Sequence, residues 1–192
     1  MSGTRHTPVH AADKTEADPL EVIEVAAAVL VRNFELLRRR SGIYTDLDRA
    51  DYLLLRTLEA IGPADICTLA AALGLDPSTA GRQVTVMAGK GLVDRTAADT
   101  DRRRSIISPT AEGSRRMNVA RARRLESTGE LLAGWSADDL RTLGDMFTRY
   151  NRAVAEHYLT DDSHQPGAPV VAVEALLPHA AAERAASAAA KS

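Results

Sequence analysis

The sequence predicts a mainly α-helical protein carrying one small β-hairpin. Three observations predict it. Leu, Ala, Val and Ile recur at helical spacing, and with aromatics at only 4% of the chain they must build the core. Glycines, prolines and an Asp-Pro step cut the chain into segments of helical length. Two short, partly β-branched runs, Leu92–Thr96 and Arg104–Ser108, bracket a polar loop as the strands of a hairpin would.

A length of 192 residues suits one domain or two small interlocked ones. Residues 1–18 are polar and read as a flexible N-terminal tail. Pro19 opens the first helix, where its missing N–H costs nothing. Within it Leu20, Ile23, Ala27, Leu30, Phe34 and Leu37 step by three and four, forming a heptad seam. Arg38, Arg39 and Arg40 suit the negative end of the helix dipole, and Gly42 stops the helix. The seam can serve the chain's own core or a second copy, and is read as contributing to both; Leu20, Ile23 and Leu30 are the candidate homodimer contacts.

The second helix, 49–61, places Leu53, Leu54, Leu58 and Ile61 on an apolar side and is closed by Gly62-Pro63. The third, 65–73, holds Ile66, Leu69, Ala70 and Leu73 at i, i+3, i+4 and i+7 before Gly74. Cys67 lies between Ile66 and Leu69 and reads as a small core residue. As the one cysteine it excludes an intramolecular disulfide, which fits a reducing, cytoplasmic setting. Asp76 and Pro77 are a good N-cap and N1 for a fourth helix reaching about Gly89, with Gly91 as the next stop. Two helices split by a short glycine-containing turn give a helix-turn-helix.

After the hairpin, Thr110 caps a helix over about 111–133. Ser136 caps another running to about Tyr158, with Leu140, Leu143, Phe147, Tyr150 and Val154 as its apolar stripe. Leu143, Phe147 and Tyr150 are further candidate dimer contacts. Residues 159–192 read as a linker and an Ala-rich C-terminal tail.

The formal net charge of −2 hides an asymmetry. From Arg82 to Arg124 eleven Lys and Arg face four Asp and Glu, a local excess of seven positive charges. Local charge of this kind draws in a polyanion. Other functions find less support. No apolar run approaches the ~20 residues needed to span a membrane, and the N-terminus lacks the order of a signal peptide. The five histidines are scattered without metal-ligand spacing, so neither metal nor cofactor is expected. No nucleophile elbow, phosphate loop or supported carboxylate pair marks an enzyme.

On a helical wheel Ala80, Val84, Met87 and Ala88 of the fourth helix cluster inward. Ser78, Arg82 and Thr85 fall opposite, with Thr79 on the flank. Small hydroxyls and an arginine are groups that approach phosphates and base edges, and Arg82 could pair bidentately with a guanine. Arg102, Arg103 and Arg104 stand together at the hairpin tip, where Asp99 and Asp101 can brace one or two of them. An unbraced arginine there suits the minor groove of double-stranded DNA. Arg95, on the first strand, completes the candidate DNA-binding set. A recognition helix followed directly by a basic hairpin makes a winged helix-turn-helix.

The run LAAALGLDPSTAGRQVTVMAGKGLVDR, then DTDRRRSIISPTAEG, resembles the MarR (multiple antibiotic resistance regulator) family. Lys90-Gly91-Leu92-Val93, Asp99-Thr100-Asp101-Arg102-Arg103 and Thr110-Ala111-Glu112-Gly113 carry the likeness. The six-helix order extends it over roughly 19–158. The resemblance implies a homodimeric transcriptional regulator whose first and last two helices interlock. Two winged helices would then meet a pseudo-palindromic operator with half-sites ~10 bp apart. Residues 19–43 and 110–158 become the dimerisation region, and 44–109 the DNA-binding domain. It further implies a repressor released when a small aromatic or anionic effector enters a cleft near the dimer helices. Arg39, Arg40, Tyr44 and Tyr52 are the candidates there, with ordinary surface charge as the plainer reading. A constitutive or architectural DNA-binding protein without an effector is the alternative. Peroxide-sensing relatives carry their cysteine in the first helix, unlike Cys67.

Two positions depart from the family pattern. Gly81 stands where a small hydroxyl residue is usual and weakens the helix by about 1 kcal/mol. Ser108-Pro109-Thr110 replaces a common Leu-Thr ending, so the strand must end at the proline or lie at an edge.

Overall fold

The computed structural model describes residues 17–40, 42, 45–97, 105–158 and 176. Residues up to 42 and those from 43 onward form two compact units. The first unit is α1 (Pro19–Arg40), with Glu21 in its first turn and Arg38, Arg39 and Arg40 in its last. Both charge sets complement the helix dipole. None of its residues is buried. Leu20, Ile23 and Phe34 of the heptad seam are exposed, while Ala27, Leu30 and Leu37 are half-buried.

The second unit begins its regular structure at α2 (Arg49–Ile61), capped by the Asp48 carboxylate, which accepts from the Asp51 N–H at 2.8 Å. Gly62 ends it at φ 82°, a backbone that favours glycine. Leu54, Leu55 and Leu58 are fully buried. The helical phase differs from the expected one: Leu53 and Ile61 face outward, and Leu55 and Thr57 take the inner face. With four successive apolar positions, 52–55, the pattern alone leaves the inward phase open.

A two-residue strand, β1 (Ala64–Asp65), leads directly into α3 (Ile66–Leu73). Asp65 caps α3 by accepting from the Thr68 N–H, and Gly74 closes it in the left-handed region. α4 (Pro77–Gly89) follows with Asp76 as its N-cap and Pro77 at its start. Then come β2 (Val93–Ala97) and β3 (Ser105–Pro109), an antiparallel pair with Arg95 opposite Ile107. β1 adds to the other side of β3, giving a three-stranded sheet in the order β1-β3-β2. The hairpin was legible, but a two-residue third strand shows no alternation to read. β1 covers only Ile106 and Ile107, so Pro109, the last residue of β3, lies beyond its reach and needs no N–H on that side.

α5 (Ala111–Leu131) starts at Thr110, whose hydroxyl accepts from the Gly113 N–H at 2.9 Å. That hydroxyl also donates to the Gly91 carbonyl at 2.7 Å, and the Thr110 N–H donates to the Leu92 carbonyl at 3.1 Å. The helix start is thereby fastened to the turn between α4 and β2. The approach is so close that a Cβ on Gly113 would stand 2.0 Å from the Leu92 carbonyl oxygen. α6 (Ala137–Tyr158) is opened by Ser136 and Asp139, which hydrogen-bond reciprocally. None of its residues is buried: Phe147 and Tyr150 are exposed, and Leu143 is half-buried.

One core serves this unit, built from Leu54, Leu55, Leu58, Leu69, Val84, Met87, Leu92, Ile107 and Met117. It draws on α2 to α5 and the sheet, so α4 and the hairpin stem stand on a common base. Cys67 is not part of it. The expectation of a core thiol is corrected: α3 turns Leu69, Ala70 and Ala72 inward, and Cys67, on the opposite side of the helix, is exposed.

Candidate nucleic-acid interface

The inward face of α4 is as the sequence implies. Ala80, Val84 and Met87 are buried, and Ala88 is half-buried against the core. Ser78, Arg82 and Thr85 are consequently exposed, and Thr79 is half-buried. Val86 is also exposed, beside them on the helix. Gly81 does not relieve a crowded spot, since a Cβ there would meet only Ile66 at an ordinary 3.9 Å.

Asp76 organises the first turn of α4. Its Oδ1 accepts from the Thr79 N–H at 2.9 Å and from the Ser78 hydroxyl at 2.6 Å. Its Oδ2 accepts from the Thr79 hydroxyl at 2.5 Å. The two hydroxyls in turn accept from Arg82, Thr79 from Nη2 at 2.9 Å and Ser78 from Nη1 at 3.3 Å. The Ser78 and Thr79 hydroxyls, with the Thr79 N–H, hold the Asp76 carboxyl well below the usual carboxylate range. In the sequence Asp76 is legible only as a helix cap; its two bonds to hydroxyls need the three-dimensional turn.

Further along α4, Thr85 donates its hydroxyl proton to the Gly81 carbonyl at 2.8 Å. Arg95 reaches across from β2, donating from Nη2 to Thr85 Oγ1 at 2.8 Å and to the Gly81 carbonyl at 3.3 Å. Two residues expected separately as DNA contacts are thus joined to each other, and the hairpin stem is tied to the middle of α4.

The far end of α4 has its own tether. Lys90 Nζ donates to Asp51 Oδ2 at 2.6 Å and lies 3.4 Å from Asp48 Oδ2. The Asp51 side chain is only 4% exposed, so this is a buried carboxylate met by a half-exposed cation. Burial pushes the Asp51 carboxyl up, against the pull of the Lys90 hydrogen bond and charge. Asp48 goes the other way: its partial burial is outweighed by the Asp51 N–H and by Lys90. The hydrogen bond to Asp51 raises Lys90. The run Lys90-Gly91-Leu92-Val93 assigns Lys90 no role by itself, because its partner lies 39 residues away.

On α5, Glu112 accepts from Arg115 at 2.8 Å on each oxygen and from Arg116 at 2.6 Å. Those guanidiniums draw its carboxyl down to about 2. Arg123 pairs with Asp46 at 3.0 Å, and the Arg124 guanidinium sits 4.9 Å from the centre of the Tyr52 ring. Part of the positive charge counted along 82–124 is therefore compensated locally. Among the effector candidates, Tyr52 is half-buried on α2, and Arg39 and Arg40 are exposed on the last turn of α1. Tyr44 lies outside the described residues, as do Asp99, Asp101, Arg102, Arg103 and Arg104 at the hairpin tip. Among the described residues no group of His, Cys, Asp and Glu could hold a metal, and no helix is long and apolar enough to cross a membrane.

Comparison with known proteins agrees with this architecture. Residues 47–105 match the family model of the MarR family. An HTH-type transcriptional regulator of Bacillus subtilis, YxaD, is 32% identical over 136 residues, spanning 71% of this chain and 95% of that one. The PcaV transcriptional regulator of Streptomyces coelicolor, solved in complex with its natural ligand, superposes with a TM-score of 0.58 at 25% identity. It covers 73% of this chain and 99% of its own. A MarR family protein of Bacillus stearothermophilus shares the fold, with a TM-score of 0.59 at 18% identity over 72% of this chain and 99% of its own. With the helix-turn-helix, its hairpin and a relative matched along nearly its whole length, the chain belongs to the MarR family of transcriptional regulators.

Proposed function

We propose that the protein is a homodimeric, sequence-specific DNA-binding regulator acting in the cytoplasm, a repressor released by a small aromatic or anionic effector. The observation that carries the DNA reading is the outer face of α4. Ser78, Arg82 and Thr85 are exposed on a helix whose opposite face is fixed in the core. In this reading Arg82 reads a base edge, and Arg102, Arg103 and Arg104 engage phosphate or the minor groove, braced by Asp99 and Asp101. Ser78, Thr79, Thr85 and Arg95 hold the helix and stem in register with the duplex.

Two apolar surfaces support the dimer. Leu20, Ile23 and Phe34 on α1, and Phe147 and Tyr150 on α6, are exposed in a single copy. Each helix would bury such a stripe against a second chain. The effector reading leans on PcaV, whose structure holds its natural ligand. Arg39, Arg40, Tyr44 and Tyr52 are the residues offered for it.

Duplexes selected from a random pool give the experiment. Arg103→Ala should weaken binding to all sequences and lower the salt slope by about 1. Arg82→Ala should instead relax preference at particular base pairs, by about 1–3 kcal/mol. Wild-type behaviour of both variants would defeat the reading. A monomer at micromolar concentration in sedimentation would defeat the dimer.

A further inference from the structure

The hydrogen-bond directions at the tip of α4 carry more than helix capping. A hydroxyl has one proton to give and two lone pairs to offer. The protons of both Ser78 and Thr79 are directed at the Asp76 carboxylate, at 2.6 and 2.5 Å. What remains outward on each oxygen is a lone pair, and both accept from Arg82. We propose that Asp76 is the positioning residue of the recognition helix: it fixes Ser78 and Thr79 as acceptors, which hold the Arg82 guanidinium for one base pair.

The inference rests on the reading of α4 as the groove-facing helix and deepens it. An N-cap needs one acceptor for one N–H, and any of Asp, Asn or Ser supplies that. Asp76 uses both oxygens and takes two hydroxyl protons besides, and a charged acceptor makes such bonds short and strong. Two consequences follow. First, Ser78 and Thr79 do not donate to phosphate oxygens while Asp76 is ionised; any base group they meet directly is a donor, such as the amino group of adenine or cytosine. Second, the guanidinium is held from its own helix before it meets a base, so less side-chain freedom is lost on binding.

The test uses the full-length protein, a preferred duplex selected from a random pool, and one fixed salt concentration. Discrimination is measured at every base pair for Arg82→Ala, Asp76→Asn, Asp76→Ser and the Asp76→Asn/Arg82→Ala double variant. Both Asp76 variants keep a capping acceptor, and thermal midpoints check that the helix is retained. The expected result is a loss of roughly tenfold in discrimination at the pair that Arg82→Ala relaxes, within the about 5- to 150-fold that a good bidentate contact supplies. Pairs that neither Ser78, Thr79 nor Arg82 meets stay as in the wild type, and at the Arg82 pair the double variant is no worse than Arg82→Ala alone. Wild-type discrimination in Asp76→Asn and Asp76→Ser, at a pair that Arg82→Ala does relax, would overturn the inference and leave Asp76 a simple cap. If Arg82→Ala itself relaxes no pair, the groove reading of α4 fails and this inference falls with it.

Discussion

Arg95 of β2 and Thr85 of α4 are hydrogen-bonded at 2.8 Å, with the Gly81 carbonyl 3.3 Å from the same guanidinium nitrogen. The hairpin stem and α4 are therefore mechanically linked on the surface proposed to face DNA. The pair is solvent-exposed, which limits its worth. Arg95→Ala and Thr85→Val should still be coupled, by about 0.5–1 kcal/mol in a double-mutant cycle of urea unfolding. Strictly additive losses would mean that the contact contributes nothing in solution.

Gly113 and Gly81 should respond in opposite directions to the same change. An alanine at 113 would drive its Cβ to 2.0 Å from the Leu92 carbonyl oxygen, so the start of α5 must move off the α4–β2 turn. Overpacking of this kind costs about 1–3 kcal/mol or more. At Gly81, whose nearest neighbour would be Ile66 at 3.9 Å, alanine should stabilise by up to about 1 kcal/mol through helix propensity. Shifts of the urea midpoint in the same direction for both would contradict the geometry.

Lys90→Met should leave the buried Asp51 carboxylate without its donor, costing about 1–3 kcal/mol at neutral pH. Asp51 is already raised by burial, and a raised carboxyl favours the folded state when protonated. The deficit of the variant should accordingly shrink as acidification protonates Asp51, in paired thermal melts. At the alkaline end the sign reverses. Lys90 is raised above 10.5, so its stabilisation is whole below that value and is lost as pH climbs through the raised one.

Glu112 gives an acid-side signature of its own. Its carboxyl is lowered from 4.5 to about 2 by Arg115 and Arg116. A lowered carboxyl contributes stability that is present above 4.5 and fades as pH falls toward 2. Glu112→Gln should melt below the wild type at pH 6, and the gap should close across that window. A gap independent of pH would point to a cause other than the two ion pairs.

The candidate site was only partly legible. The α4 wheel put Ser78, Arg82 and Thr85 outside because Ala80, Val84 and Met87 could face nothing but the core, and burial agrees. Cys67 misled because adjacent apolar residues suggest burial, yet one residue along a helix is a rotation of 100°. In α2 the run of apolar positions left the phase open, and Leu55 rather than Leu53 went inside. β1 was missed because two residues carry no periodicity.

The sequence by itself determined the order of the six helices and the hairpin, the helix caps at Asp76 and Thr110, the glycine stops and the cationic stretch from Arg82 to Arg124. These depend on neighbouring residues, whose propensities and spacing act before any tertiary contact forms. Only the tertiary structure decided that Lys90 meets Asp51, that β1 joins β3, that Gly113 lies against Leu92, and that Arg95 holds Thr85. Each joins groups on different elements, and which pairs meet is settled by how the helices and sheet close over one shared core.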